Sequence, residues 1–328
     1  MKYLFLVMLM AFSAAAGQSK ENQEEDRWKN FNMEDSPLPE NLIRISAADK
    51  NGIVWFGTQN RGLVRFDGKE WKVYDTVNSG IPHNKVTALA VDNRNRLWVG
   101  TYGGGVARFD GKKWRIYNHK NSGLAEDFIY TLAFDKKNCL WAGTSSEGLA
   151  KFDGRKWTVY NTENSPLPNR KVPAIAFDKN NAAVIGTAKG LIRFDGEKWM
   201  PFIQDSAGLP RRMTVYSLAI DKKGGIWAGY KYGGVEYFDG KNWKSFTKDN
   251  SLLPDDIVYS LLCDEQGTVW IGTNGSGLAS FDGSSWKIYN AANSGLADDF
   301  IMHIFSDRGK LWISTLRRGI SCFRYSPQ

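Results

Sequence analysis

Residues 97–118 read LWVGTYGGGVARFDGKKWRIYN. Forty-three residues earlier the chain reads VWFGTQNRGLVRFDGKEWKVYD (54–75), and 43 later LWAGTSSEGLAKFDGRKWTVYN (140–161). The aspartates Asp49, Asp92, Asp135, Asp178, Asp221, Asp264 and Asp307 mark the repeat at intervals of 43, which makes seven copies. In copy two, the segments 85–92, 96–101, 105–110 and 113–118 each read as a short strand rich in β-branched, aromatic or small apolar residues. Asp110-Gly111, between the third and fourth segments, predicts a two-residue type I′ hairpin. Sequences such as DKNG (49–52) predict a turn between the first and second. No copy holds a useful helical period. Four short strands repeated at this spacing are the signature of a propeller blade. The expected fold is all-β: a seven-bladed β-propeller with four antiparallel strands per blade.

The two ends supply a check. The seventh copy reaches GISCFRYS (319–326) without a fourth strand, while Trp28-Lys29-Asn30-Phe31 matches Trp71-Lys72-Val73-Tyr74. Pairing the N-terminal strand with the C-terminal blade closes the ring and buries two faces that an open ring would expose. The propeller then covers 28–328, with a polar linker at 17–27. Residues 1–16 read as a signal peptide, with Lys2, an apolar run at 4–12 and AAA (14–16) as the cleavage site. That run is too short to span a bilayer as a helix. The mature chain is therefore expected to be soluble, without a membrane span, and periplasmic or secreted. Export argues against nucleic acid as the reason for the net charge of +8, and leaves solubility or attraction to anionic polymers and envelope surfaces. Cys139, Cys263 and Cys322 are odd in number, form no CxxC and read as free thiols.

Most repeated residues read as scaffold. Trp55, Trp98, Trp141, Trp227, Trp270 and Trp312 share one position of the second strand, where large rings are expected to fill the wedge between blades. Val184 breaks that series and predicts looser packing at blade four. Seven further tryptophans, Trp28, Trp71, Trp114, Trp157, Trp199, Trp243 and Trp286, open the fourth strands. A nearly constant alanine in the first strand (Ala47, Ala90, Ala133, Ala176, Ala219) is expected to suit a crowded axis. Pro173 fits the channel-facing edge strand, where a missing ladder donor costs nothing. The glycine-rich loops join strands and precede no helix, so they do not read as phosphate cradles. DKNG lacks the distal Glu of a calcium loop, and neither a metal nor a cofactor is expected.

The pattern D..G.(L/I/V)W.GT..GGL..FDG..W..Y resembles the two-component regulator propeller repeat, over about residues 28–326. The resemblance implies an extracytoplasmic sensor module of the kind carried by hybrid two-component regulators associated with glycan sensing. Sensors of that family usually carry two propellers, an immunoglobulin-like module, a membrane span and a histidine kinase. The present chain reads as one ring, so signalling is expected to need a separate envelope protein or sensor kinase.

In a four-strand meander the second-to-third loops share one end with the blade-to-blade connections, such as 118–127, 203–212 and 247–256. Long loops on a rigid scaffold are where binding usually lives. The unlike residues there are the candidate ligand-binding set. Second-to-third loops carry Arg61, Tyr102, Glu147, Tyr230, Lys231, Tyr232, Asn274, Arg317 and Arg318. The start of the first strand carries Arg44, Tyr130, Tyr216, Tyr259 and, one residue after Met302, His303. Aromatic faces can stack on sugars and Arg can hold carboxylate or sulfate, which points to an oligosaccharide or other anionic small ligand. The same tyrosines could instead pack between blades. No GxSxG, HExxH or metal-spaced His cluster occurs, and no catalytic residue is assigned. Three readings stay open: a non-catalytic ligand-binding or sensory propeller, an envelope interaction scaffold, and a polysaccharide hydrolase or lyase built from carboxylates of different blades.

Overall fold

The computed structural model describes residues 27–202 and 213–325. The expected signal peptide, all of the expected linker except Arg27, the connection at 203–212 and residues 326–328 lie outside the described residues. The described chain forms seven four-stranded antiparallel sheets and no helix. In blade two the strands are Val86–Val91, Leu97–Thr101, Val106–Phe109 and Trp114–Tyr117, each within a residue or two of the sequence reading. The innermost strands stand side by side around the axis, and Ile43–Ala48 of blade one lies against Ile301–Asp307 of blade seven. Blade seven is completed by the N-terminal strand Trp28–Phe31, in the order 28–31, 320–324, 310–315, 301–307. Trp28 lies opposite Phe323 and Phe31 opposite Ile320.

The core lies in the wedges between blades. Trp98 is 2% exposed. It touches Tyr117 of its own blade and Phe134 and Phe152 of the next, with ring centroids 5.4–6.0 Å apart. Its indole N–H donates to Asp92 (3.0 Å), and Trp141 and Trp270 do the same to Asp135 and Asp264. The repeating aspartate is therefore more than a turn residue, because it also satisfies the polar edge of a buried ring. The fourth-strand tryptophans are only half buried and lie against the phenylalanine of each FDG, as in Trp114 on Phe109 at 4.6 Å.

One expectation needs correction. Asp110-Gly111 is not a two-residue type I′ turn, since only Gly111 has a positive φ (96°). Phe109 pairs with Trp114, so the loop holds residues 110–113. The Asp110 carboxylate accepts the amides of Lys112 and Lys113 at 2.9 and 2.8 Å, and those bonds hold its pKa below the usual carboxylate value. Asp side-chain capping wins over the primed turn because it satisfies two loop amides at once. Ala47 belongs to the apolar cluster that holds Trp55 and Leu89 of the next blade, so its small size lets neighbouring inner strands converge. The three cysteines are free thiols.

Candidate functional site: the loop-rich mouth of the channel

The mouth is built by a repeated irregularity. In six blades the inner strand slips by one residue against the second strand, and the slip falls at Arg44, Thr87, Tyr130, Tyr216, Tyr259 and Met302. A β-bulge leaves its extra residue out of the ladder and re-aims its side chain. Pro173 holds the same register in blade four, just before the strand that starts at Ala174. The sequence-derived ring of Arg44, Tyr130, Tyr216 and Tyr259 is thus a ring of bulge residues, all half buried.

These side chains converge. The Arg44 guanidinium lies within electrostatic range of the phenols of Tyr130, Tyr102 and Tyr259, which come from blades three, two and six. Burial lowers its pKa and the phenols partly offset this. Its Nη1 donates to Gln59 Oε1 at 2.7 Å. The Lys85 ammonium sits 4.0 Å from the Tyr102 ring centroid, and its pKa is lowered by burial and then by the neighbouring Arg44. The Lys171 ammonium lies 5.2 Å from the Tyr130 ring. Tyr216 and Tyr259 stack at 5.4 Å with their planes 20° apart, and burial raises both phenol pKa values. Tyr232, 54% exposed, lies within electrostatic range of both. Among the described residues Arg44, Lys85 and Lys171 form no ion pair. The result is a positive, aromatic-walled opening.

Other candidate residues fall elsewhere. Tyr230 is fully buried in the core shared by blades four and five, and its hydroxyl donates to Glu236 at 2.7 Å. Glu147 lies 3.8 Å from Arg170 at the rim. Arg317 donates to the buried Asp298 at 3.1 Å and lies over the Phe300 ring. Arg61, Lys231 and Arg318 are exposed on the loops of the same end, and Asn274 is half buried there, bridged to Phe300. Lys85, Lys171 and Phe128, which meets Tyr102 edge-on at 4.7 Å, were not anticipated. They share one register two residues before the bulge, which reads Leu42, Lys85, Phe128, Lys171, Thr214, Ile257 and Phe300 around the ring.

His303 lies deeper, between blades seven and one. Its Nδ1 accepts the Ser46 amide at 3.3 Å and lies 3.2 Å from the Ser46 hydroxyl. By its exposed surface it is only half buried, but protein surrounds it, and burial drives its pKa down to about 4. It is neutral at pH 7, and an acceptor Nδ1 places the hydrogen on Nε2. Between its unfolded value near 6.5 and about 4, the unfolded state binds more protons, so stability rises with pH in that window and is lost on acidification. The loss at pH 4 from this group should be about 2–4 kcal/mol. His303→Ser, matching Ser217 and Ser260 of that register, should lose less stability between pH 7 and 4 than the parent by that amount. Urea unfolding at both pH values measures the difference, and parallel pH profiles would refute it.

The family model described as two component regulator propeller matches residues 80–103, 123–146 and 252–275, each spanning a blade-to-blade connection and the first two strands of a blade. No curated protein matches the chain. Among solved structures, the extracellular domain of a protein described as a hybrid two component system from B. thetaiotaomicron is 21% identical, with a TM-score of 0.79 over 91% of this chain and 41% of that one. PorZ, a surface component of the type-IX secretion system of Porphyromonas gingivalis, is 16% identical with a TM-score of 0.69, over 88% of this chain and 48% of that one. Virginiamycin B lyase from Staphylococcus aureus is 13% identical with a TM-score of 0.72, over 90% of this chain and 98% of that one. The chain spans about two fifths of the length of the first of these. Among the described residues no helix is long and apolar enough to cross a membrane. Seven blades of one repeating sequence are closed by the N-terminal strand, and three of them are similar to the family model described as two component regulator propeller.

Proposed function

We propose that the propeller is an exported, non-catalytic recognition module that binds an anionic oligosaccharide at its loop-rich mouth and acts through a separate envelope protein or sensor kinase. The supporting observation is that Arg44, Lys85 and Lys171, three cations without ion-pair partners among the described residues, are set among the rings of Tyr102, Tyr130, Tyr216 and Tyr259. Arg44 and Lys85 are close enough in a partly desolvated opening to repel one another, and a carboxylate or sulfate would relieve that repulsion. The flat tyrosine faces offer stacking surface for sugar rings. A role in interblade packing alone explains neither the unpaired charge nor the half-exposed rings.

Calorimetric titration with sulfated, uronate and neutral oligosaccharides tests this. An anionic member should bind with an affinity that falls as salt rises. Arg44→Ala should weaken it roughly tenfold to a hundredfold, about 1.4–2.8 kcal/mol. Failure of every anionic member, or equal affinity for Arg44→Ala, would sink the proposal.

A further inference from the structure

At six positions around the ring a second-strand tryptophan fills the wedge toward the following blade, and at blade four Val184 stands there. By repeat register, a ring at that place would touch the equivalents of Tyr117, Phe134 and Phe152, which are Phe202, Ile220 and Phe238. Here Val184 and Ile220 pack in the core shared by the two blades, and a cleft opens beside Phe202 and Phe238. A cavity of about 660 Å³ lies there, lined by Phe202 and Phe238 among others. The corresponding groove beside Trp312 holds about 330 Å³, and the one beside Trp270 about 200 Å³. The cleft is bounded by the inner turns of blades four and five and by the outer turn of blade five, so it opens at the end opposite the mouth.

Its walls differ in kind. One side is aromatic, where Phe202, Phe238 and Trp243 contact one another at 4.8–5.6 Å. The floor is the ion pair of Arg193 and Asp178, with Arg193 Nε 2.9 Å from the carboxylate. In blades two and three the equivalent cations, Arg108 and Lys151, lie over the tryptophan rings. Arg193, with no ring to cover, instead takes the carboxylate that the indole would have held. Lys179, Lys223 and Lys241 line the cleft and outnumber Asp239, among the described residues the one acid there besides the ion-paired Asp178. The volume falls in the usual range of small-molecule sites.

From the missing ring, the aromatic wall and the lysine lining we infer that this cleft is a second binding site, for a small aromatic anion such as an aromatic carboxylate or sulfonate. The ring of the ligand occupies the place the tryptophan holds in other wedges, and its charge faces the lysines. The inference is independent of ligand binding at the mouth.

The probe is an anilinonaphthalene sulfonate, followed by fluorescence on the full chain. The parent should bind one equivalent saturably. Val184→Trp, which fills the wedge with the residue of the other blades, should raise the Kd at least tenfold while the melting temperature holds or rises. Lys223→Glu should weaken binding several-fold and flatten its salt dependence, and Arg44→Ala at the mouth should leave it unchanged. If Val184→Trp does not fold, Phe238→Ala replaces it, with the same expected loss. Absence of saturable binding to the parent, unchanged binding to the wedge variants, or loss on Arg44→Ala would each overturn the inference.

Discussion

A chain that begins at Asn32 should fail to hold the native fold at neutral pH and room temperature, or hold it with most of its stability gone. The strand removed is short, but it completes the fourth position of blade seven. Phe31 is 8% exposed and meets Phe66, Trp71 and Trp312 at 5.3–6.2 Å, so it belongs to the wedge between blades seven and one. Trp28 stacks on Phe323 at 4.4 Å, and Arg27 Nε donates to the Arg324 carbonyl at 2.8 Å. Removing a buried Phe costs about 3–5 kcal/mol, and a half-buried Trp adds about 1–2. The sum is comparable to the whole stability of an ordinary domain, about 5–15 kcal/mol. Guanidinium unfolding followed by tryptophan fluorescence measures it. The single variant Phe31→Ala, expected to lose about 3–5 kcal/mol, separates the contribution of the wedge from that of the strand. An unfolding midpoint of the truncated chain equal to that of the parent would mean that the ring does not depend on this closure.

The fold was legible because every blade states it again. A constant interval survives substitutions such as Val184 and Ser314, and the unmatched Trp28–Phe31 identified the closure without coordinates. The mouth was legible in part, for a related reason. Scaffold positions repeat, so the unlike residues at a shared register stood out, and that register proved to be the bulge. Tyr230 was misread because it was judged by its aromatic ring rather than by its register. Its equivalents Thr58, Thr101, Thr144, Thr187, Thr273 and Thr315 are all buried, and the hydroxyls of this series accept loop amides or donate to loop carbonyls, as Thr101 Oγ1 does to the Gly105 carbonyl. Lys85 and Lys171 were missed because they stand two residues before the register whose unlike residues drew attention, and only the geometry carries their side chains over tyrosine rings. The capping in residues 110–113 was hidden because Asp-Gly suits both a primed turn and a side-chain cap, and what decides is where the flanking strands pair.

Gly143→Val should destabilise the chain by at least 3 kcal/mol, although it adds a β-branched residue to a strand. The glycine of each Gly-Thr is fixed by the approach of the following blade. A Cβ on Gly143 would stand 2.2 Å from the Val172 carbonyl oxygen and 2.7 Å from Thr131 Cγ2. At the other blades the obstacle is mainly a side chain of the next inner strand, Val86 at Gly57, Ile129 at Gly100, Val215 at Gly186, Val258 at Gly229 and Ile301 at Gly272. A side chain can give by some tenths of an ångström. The Val172 backbone gives less readily, because its amide donates to the Thr144 carbonyl at 3.0 Å. The clash at Gly143 must therefore separate blades three and four or break that bond, and either exposes the wedge that holds Trp141. Gly57→Ala, whose Cβ would meet only Val86 and Ile45 side chains, should cost less, about 1–3 kcal/mol. Chemical denaturation of the two variants side by side tests the ranking. Blade seven, with Ser314 in place of glycine, shows that the position admits a side chain where the next blade leaves room, since the Ser314 hydroxyl donates to Ser46 at 3.4 Å across the closing wedge. A Gly143→Val variant as stable as Gly57→Ala would show that backbone contact between blades is not what selects glycine there.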